Sequence, residues 1–247
     1  MAEQSDKKKL LIIGTSHTVG SCDSHQLPVT QRWFANLYEH YDVDVFARSG
    51  VTAQHQVYAF MRYLLDYPDK HWDSIIIEGR QLGTLDISYP EPTGNLSLLG
   101  SQDNPAFYDM FIKPKSQWKG TFLLPFTNIS KNTMVPNKEW YEAYVHSDLH
   151  FTDNYSANLA LCEMAAKRCD KILWWSYSNS KNIEKYWMDW AYTLLKDYTD
   201  EDIWPTPGAH GFVIEEHEQC GCGHYNLMGN LKLQKFLKPI LIKRGIL

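Results

Sequence analysis

Three short apolar runs, Leu10 to Ile13, Ile75 to Ile77 and Ile172 to Trp175, constrain this chain more than any other feature. Runs of strand length without polar alternation read as strands buried on both faces, the kind found in parallel sheets covered by helices. Lys9 to Ile13 stops at Gly14 and so predicts a strand entering a turn. Pro28 to His40 then carries Trp33, Phe34, Leu37 and Tyr38 at helical spacing, and Asp42 to Ala47 alternates Val43, Val45 and Ala47 as a second strand. Val51 to Leu65 places Val57, Phe60, Met61, Leu64 and Leu65 on one helical face, and Asp73 to Ile77 predicts the third strand. The opening is therefore β-α-β-α-β, the signature of a parallel sheet with helices on both faces.

From Gly79 to about His150 this rhythm breaks, with Pro90, Pro92, Pro105, Pro114, Pro125 and Pro136 in the stretch. It is long for a loop and reads as an insertion at about 80–150, or a lid over a site. The rhythm resumes with a helix over Asp153 to Cys169, capped by Thr152 or Asp153, and a fourth strand over Lys171 to Ser176. A helix over Ile183 to Leu195 follows, then an irregular segment opened by Pro205, Pro207 and Gly208. The last helix is expected over Asn226 to Ile242 with a bend at Pro239, which has no N–H to donate. With 247 residues the chain suits a single α/β domain over 1–247.

Charge narrows the function classes. A net charge of −5 and a pI near 6.0 provide no basic field for phosphates, so a dedicated nucleic-acid binder is excluded as an expectation. No apolar run reaches the length of a membrane span. The polar start, Met1 to Lys9 with Lys7, Lys8 and Lys9, is not followed by a long apolar segment and does not read as a secretory signal. Five cysteines, an odd number in a large chain, fit a reducing compartment better than a disulfide scaffold. A cytoplasmic protein is the expectation.

In an open parallel sheet, ligands bind beyond the carboxyl ends of the strands. After the first strand comes Gly14-Thr-Ser-His-Thr18, followed by Val19-Gly20. A serine two residues past the strand can face a cleft where backbone N–H groups meet an anion, or Ser16 or Thr18 can simply cap the next turn. No Walker spacing is present, which excludes a P-loop. After the second strand, Gly50 in Arg48-Ser-Gly-Val-Thr52 can let backbone approach a ligand. After the third, Glu78-Gly-Arg-Gln81 offers a side-chain amide at Gln81. Near the other end, Gly223-His-Tyr-Asn-Leu-Met-Gly-Asn230 places His224 just before the last helix, from where it can reach the strand ends.

Taken in this order the four segments resemble the SGNH hydrolases, the GDSL-type esterases. Ile13-Gly-Thr-Ser-His-Thr is similar to the family's first block, strand-Gly-Asp-Ser, with Thr15 in place of Asp. Gly50 matches the second-block glycine and Gly79-Arg-Gln81 stands where the family has Gly-x-Asn. His224, trailed by Asn226 and Gly229, resembles the last-block histidine. The resemblance implies a flavodoxin-like three-layer α/β/α fold with a central parallel sheet and a large insertion after the third strand. It also implies a serine esterase acting on a carboxylester or O-acetyl group, including one on a carbohydrate. Ser16 would be the nucleophile and His224 its base, with an oxyanion hole from Ser16, Gly50 and Gln81, and no cofactor. Trp118, Trp140, Tyr141 and Tyr144 would stack on a sugar ring, line an acyl groove, or anchor the insertion. Arg80 would bind an anionic group of the substrate or pair with Glu78 or Asp86 at the surface.

Two departures from the family pattern bear on activity. Gln81 is one methylene longer than the expected Asn. The acid that orients the histidine is missing, because Cys222 and Gly221 occupy the positions two and three residues before His224. Loss of such an acid lowers turnover by about 10⁴-fold in a Ser-His-Asp triad. Glu216 or Glu218 would have to replace it, or a Ser–His dyad would operate. Two other functions remain open. One is a weak or inactive module that keeps the fold for binding or structure. The other is a zinc site built from His217, Cys220, Cys222 and His224, with His210 nearby.

Overall fold

The computed structural model describes residues 7–22, 25–47, 53–79, 84–88, 121–125, 148–176, 194–200, 215–221 and 224–247. Among these residues the centre is a parallel sheet of four strands: β1 (Lys8–Gly14), β4 (Tyr41–Ala47), β5 (Trp72–Gly79) and β8 (Cys169–Ser176), in the order β4-β1-β5-β8. Two short strands, β2 (Ser21–Cys22) and β3 (His25–Gln26), pair antiparallel after β1, as do β6 (Thr84–Ser88) and β7 (Thr121–Pro125) within the expected insertion. The helices with both ends among the described residues are α1 (Ser16–Val19), α2 (Ala53–Asp66), α3 (Asp148–Ala166) and α4 (Leu227–Lys243).

Alternation along the strands divides the core in two. Leu10, Ile12, Val45, Ile76, Leu173 and Trp175 face one side, where Leu233, Leu237, Ile240 and Leu241 of α4 cover them together with Trp33, Phe34 and Leu37. Leu11, Ile13, Phe46, Ile75, Ile77 and Trp174 face the other, under Phe60 of α2 and Tyr155, Leu159, Cys162 and Ala165 of α3. The Val, Leu, Ile and Phe side chains among them each contribute about 1.5–3 kcal/mol by leaving water. This is the three-layer α/β/α arrangement expected from the sequence. The C-terminus is tied to the sheet by the Tyr41 hydroxyl, which donates to the Ile246 carbonyl.

Some boundaries differ from expectation, for identifiable reasons. The helix over Pro28 to His40 is replaced by two 3₁₀ turns, Val29–Gln31 and Ala35–Glu39. The Trp33 N–H, which an α-helix would use internally, donates instead to Asn230 Oδ1 of α4 at 3.0 Å. A tertiary hydrogen bond has overridden the local pattern. Helix α3 starts upstream of Thr152 and ends at Ala166. There Arg168 donates its N–H to Ala165 and accepts from Trp72, which draws Cys169 into β8. Helix α4 begins as expected, with Asn226 accepting from the N–H groups of Met228 and Gly229, and runs through Pro239. The expected helix over Ile183 to Leu195 lies outside the described residues except for its last two positions, Leu194 and Leu195. No helix among the described residues is long and apolar enough to cross a membrane.

Candidate active site

Because the four strands are parallel, their carboxyl ends share one edge. Gly14 lies beside Ala47, and Gly79 beside Ser176. Both glycines are required by close packing. A Cβ on Gly14 would sit 2.2 Å from Thr18 Oγ1 and 2.9 Å from Glu78 Oε2; one on Gly79 would sit 2.2 Å from the Trp174 indole nitrogen and 2.6 Å from Asn158 Oδ1. Around Gly79 the polar contacts are dense. Ser176 Oγ donates to its carbonyl at 3.0 Å, Gln56 Nε2 to the Glu78 carbonyl at 3.3 Å, and Trp174 Nε1 to Asn158 Oδ1 at 3.2 Å.

The turn after β1 is built around a buried acid from the neighbouring strand. Glu78, 1% exposed, accepts the N–H groups of Thr15 and Thr18, each at 3.0 Å, and both threonine hydroxyls. A carboxylate out of water needs several donors, and the described residues give this one four. Glu78 is therefore buried and not at the surface as expected, while Arg80, the partner expected for it, lies outside the described residues. A glutamate ending a strand of three isoleucines could have been read as buried, with Thr15 and Thr18 on the adjacent turn as its donors.

Ser16 opens the one-turn helix α1 and is 3% exposed; Gly20 closes it in the left-handed conformation, φ 75°. His17, 7% exposed, has its ring 4.1 Å from that of Tyr225 and 5.3 Å from that of His224. The fold thus brings the turn of Ser16 and the turn of His224 together from opposite ends of the chain.

The His224 turn is itself tightly specified. Gln219 bridges to Tyr225, and the His224 carbonyl accepts from both the N–H of Cys220, at 2.9 Å, and its thiol, at 3.1 Å. Asn226 Nδ2 donates to the carbonyls of His217 and Gln219. Gly229 lets the chain pass, since a Cβ there would lie 2.4 Å from the Glu218 carbonyl oxygen. Asn226 and Gly229, the residues trailing the histidine in the sequence motif, are therefore the scaffold of its turn.

The two candidate replacement acids lie on the turn that precedes His224. Glu216 is exposed on a 3₁₀ turn. Glu218 Oε2 accepts from Lys232 Nζ and from the Glu215 N–H, both at 2.7 Å. The hydrogen bond from Lys232, then that from Glu215, hold its carboxyl below the ordinary glutamate range. These partners anchor the turn to α4 and occupy Oε2.

Among the described residues no three of His, Cys, Asp and Glu converge on a metal position. His217 is exposed, and the Cys220 thiol is directed at a carbonyl. His210 and Cys222 lie outside the described residues, as do Gly50, Arg80, Gln81, Trp118, Trp140, Tyr141 and Tyr144.

Strand order, a core split between two faces and two turns meeting over the carboxyl edge define an α/β/α domain of flavodoxin-like order. No family model matches the chain, and no curated protein sequence matches it. Solved structures do. TesA matches with a TM-score of 0.47 and 15% identity, over 95% of this chain and 98% of that one. A protein assigned to the lipolytic G-D-S-L family, from Desulfitobacterium hafniense DCB-2, matches at 0.44 and 13%, over 95% and 100%. The psychrotrophic esterase EstA from a Pseudoalteromonas species matches at 0.45 and 10%, over 96% and 98%. The second of these bears the name of the family that the sequence blocks resemble. The fold class stands on strand order and core, independently of these matches.

Proposed function

We propose that this protein is a serine hydrolase of the SGNH type that cleaves a carboxylester or O-acetyl group. The observation that carries the reading is the meeting of the His224 ring with that of His17, the neighbour of Ser16, at 5.3 Å. Ser16 Oγ attacks the ester carbonyl while His224 accepts its proton. The tetrahedral oxyanion is held by the N–H groups of Ser16 and Gly50 and by the Gln81 amide. The carbon–oxygen bond to the alcohol then breaks, and the imidazolium protonates the leaving oxygen. Water, deprotonated by His224, releases the acid and restores Ser16. No metal or cofactor enters these steps. A carbohydrate carrying the ester is the substrate class proposed for Arg80, Trp118, Trp140 and Tyr141.

A second reading has its own support. With Glu218 Oε2 committed to Lys232 and Glu215, and Cys222 and Gly221 where an acid is expected, the chain would act as a binding module on a retained fold. Hydrolysis of 4-nitrophenyl acetate by the native protein, Ser16→Ala and His224→Ala separates the two. Activity abolished in both folded variants, with fluorophosphonate labelling of Ser16 in the native protein, is the expected result. No turnover and no labelling of Ser16 would select the binding module.

A further inference from the structure

We infer that Glu78 is a positioning residue for Ser16, an inference that rests on Ser16 being the nucleophile. The first turn of a helix leaves N–H groups without intrahelical partners, and the residue before the helix ordinarily caps them with its side chain. Here that residue, Thr15, makes no such cap. Glu78 does so from the adjacent strand, accepting the Thr18 N–H at 3.0 Å. It also takes the Thr15 N–H and both hydroxyls, so one carboxylate grips the residues on either side of Ser16-His17.

The direction of the hydroxyl bond at Thr18 is fixed independently. The Trp33 indole N–H, which can only donate, points at Thr18 Oγ1 at 3.3 Å. The Thr18 hydroxyl therefore spends its own proton on Glu78. Gly14 completes the fit, because any side chain there would displace Thr18 or the carboxylate. In the sequence block that this turn resembles, an acid stands at the position of Thr15. In this chain the acid reaches the same turn from β5. The consequence is that the placement of the Ser16 hydroxyl depends on a residue that does not touch substrate.

The experiment compares Ser16 labelling by a fluorophosphonate, and kcat and KM on 4-nitrophenyl acetate, in native protein, Glu78→Ala, Glu78→Gln and Thr15→Val. Rates are divided by the folded fraction from urea titration. A nucleophile displaced by about 1 Å loses on the order of 100-fold in rate. Glu78→Ala is expected to show a loss of about that size in labelling and in kcat, with KM unchanged. Glu78→Gln keeps an oxygen for the two N–H groups and is expected to recover most of the rate. Thr15→Val, which removes one hydroxyl donor and retains the fold if Glu78→Ala does not, is expected to fall between them. Native protein that labels at Ser16, with variants that label equally fast per folded molecule, would overturn the inference alone. Native protein that neither labels nor turns over would overturn the nucleophile assignment and this inference with it.

Discussion

Asn230 offers a test of the architecture that does not depend on catalysis. It is 1% exposed. Its Oδ1 accepts the Trp33 N–H at 3.0 Å, while its Nδ2 donates to the carbonyls of Tyr225, at 3.2 Å, and Asn226, at 3.1 Å. Asn230→Asp preserves shape and the bond from Trp33 but turns an oxygen toward two carbonyls. The buried Tyr225 carbonyl loses the Nδ2 donor and faces a charged oxygen, while the Asn226 carbonyl keeps the Asn230 backbone N–H at 3.0 Å, so a cost of about 3 kcal/mol is expected for the ionised side chain. That corresponds to a folded-state pKa about two units above the unfolded value of about 3.9. A protonated aspartic acid can donate to the Tyr225 carbonyl and regain most of the loss. The folded state therefore binds the proton more tightly. The ionisation penalty is absent below the unfolded value, grows by about 1.4 kcal/mol per pH unit, and levels off near pH 6. Urea unfolding followed by tryptophan fluorescence, with native protein and variant paired at each pH, reads this directly. The expected gap is about 3 kcal/mol at pH 8 and about 1–2 kcal/mol at pH 4.5. Asn230→Ala serves as the control whose gap stays flat. An aspartate gap equally large at both values would refute the assignment of Nδ2 to the two carbonyls.

Two further outcomes follow from perturbed ionisations elsewhere. Lys232 and the Glu215 N–H lower the carboxyl of Glu218. Its stabilisation is therefore present above the ordinary glutamate value and lost as pH falls through the folded one. Glu218→Gln should show a lower urea midpoint than native protein from pH 6 to 8, with the difference closing at acid pH; a difference that persists at pH 3 would assign the effect to packing. Burial pushes the Cys162 thiol well up, and burial with the nearby charge of Asp170 pushes Cys169 to about 12. At pH 8 the thiolate fraction of Cys169 is then on the order of 10⁻⁴. Iodoacetamide should modify neither residue in folded protein and both in urea, by peptide mass; alkylation of Cys162 without denaturant would contradict its place in the core.

The sheet was legible because its signal is carried by single residues in unbroken order. Leu10 to Ile13 and Ile75 to Ile77 are buried on both sides, so no polar alternation interrupts them. The first crossover was not legible in the same way. Trp33, Phe34 and Leu37 do face the core, as their spacing suggested, but the backbone there is set by Asn230, which stands far away in sequence. Local periodicity finds which residues are buried more reliably than which hydrogen bonds the backbone makes. The site divides along the same line. Ser16 and His224 were visible as residues of the right type after a strand and before a helix. Glu78 was not, because its role is defined by Thr15 and Thr18 on another strand's turn, and its charge alone suggested a surface pair. Glu218 was visible as an acid near the histidine, yet Lys232 and Glu215, through α4 and the 3₁₀ turn, occupy its Oε2.

The two turns that form the candidate site are joined through one residue. Trp33 donates its indole N–H to Thr18, inside the grip of Glu78, and its backbone N–H to Asn230, which holds the carbonyl of Tyr225 beside His224. The Trp33 ring is fixed edge-on against Phe34 and Trp175, at 5.3 and 5.6 Å. The turn of Ser16 is therefore referred to β5 through Glu78, and the turn of His224 to α4 through Asn230 and Asn226, with Trp33 common to both. This explains why the segment over 29–39 gives up a regular helix. Had the Trp33 N–H entered a helical ladder, Asn230 would lose the donor that ties the last helix to the first turn. The local hydrogen bond forgone between β1 and β4 is returned as a link between the turn of Ser16 and the turn of His224.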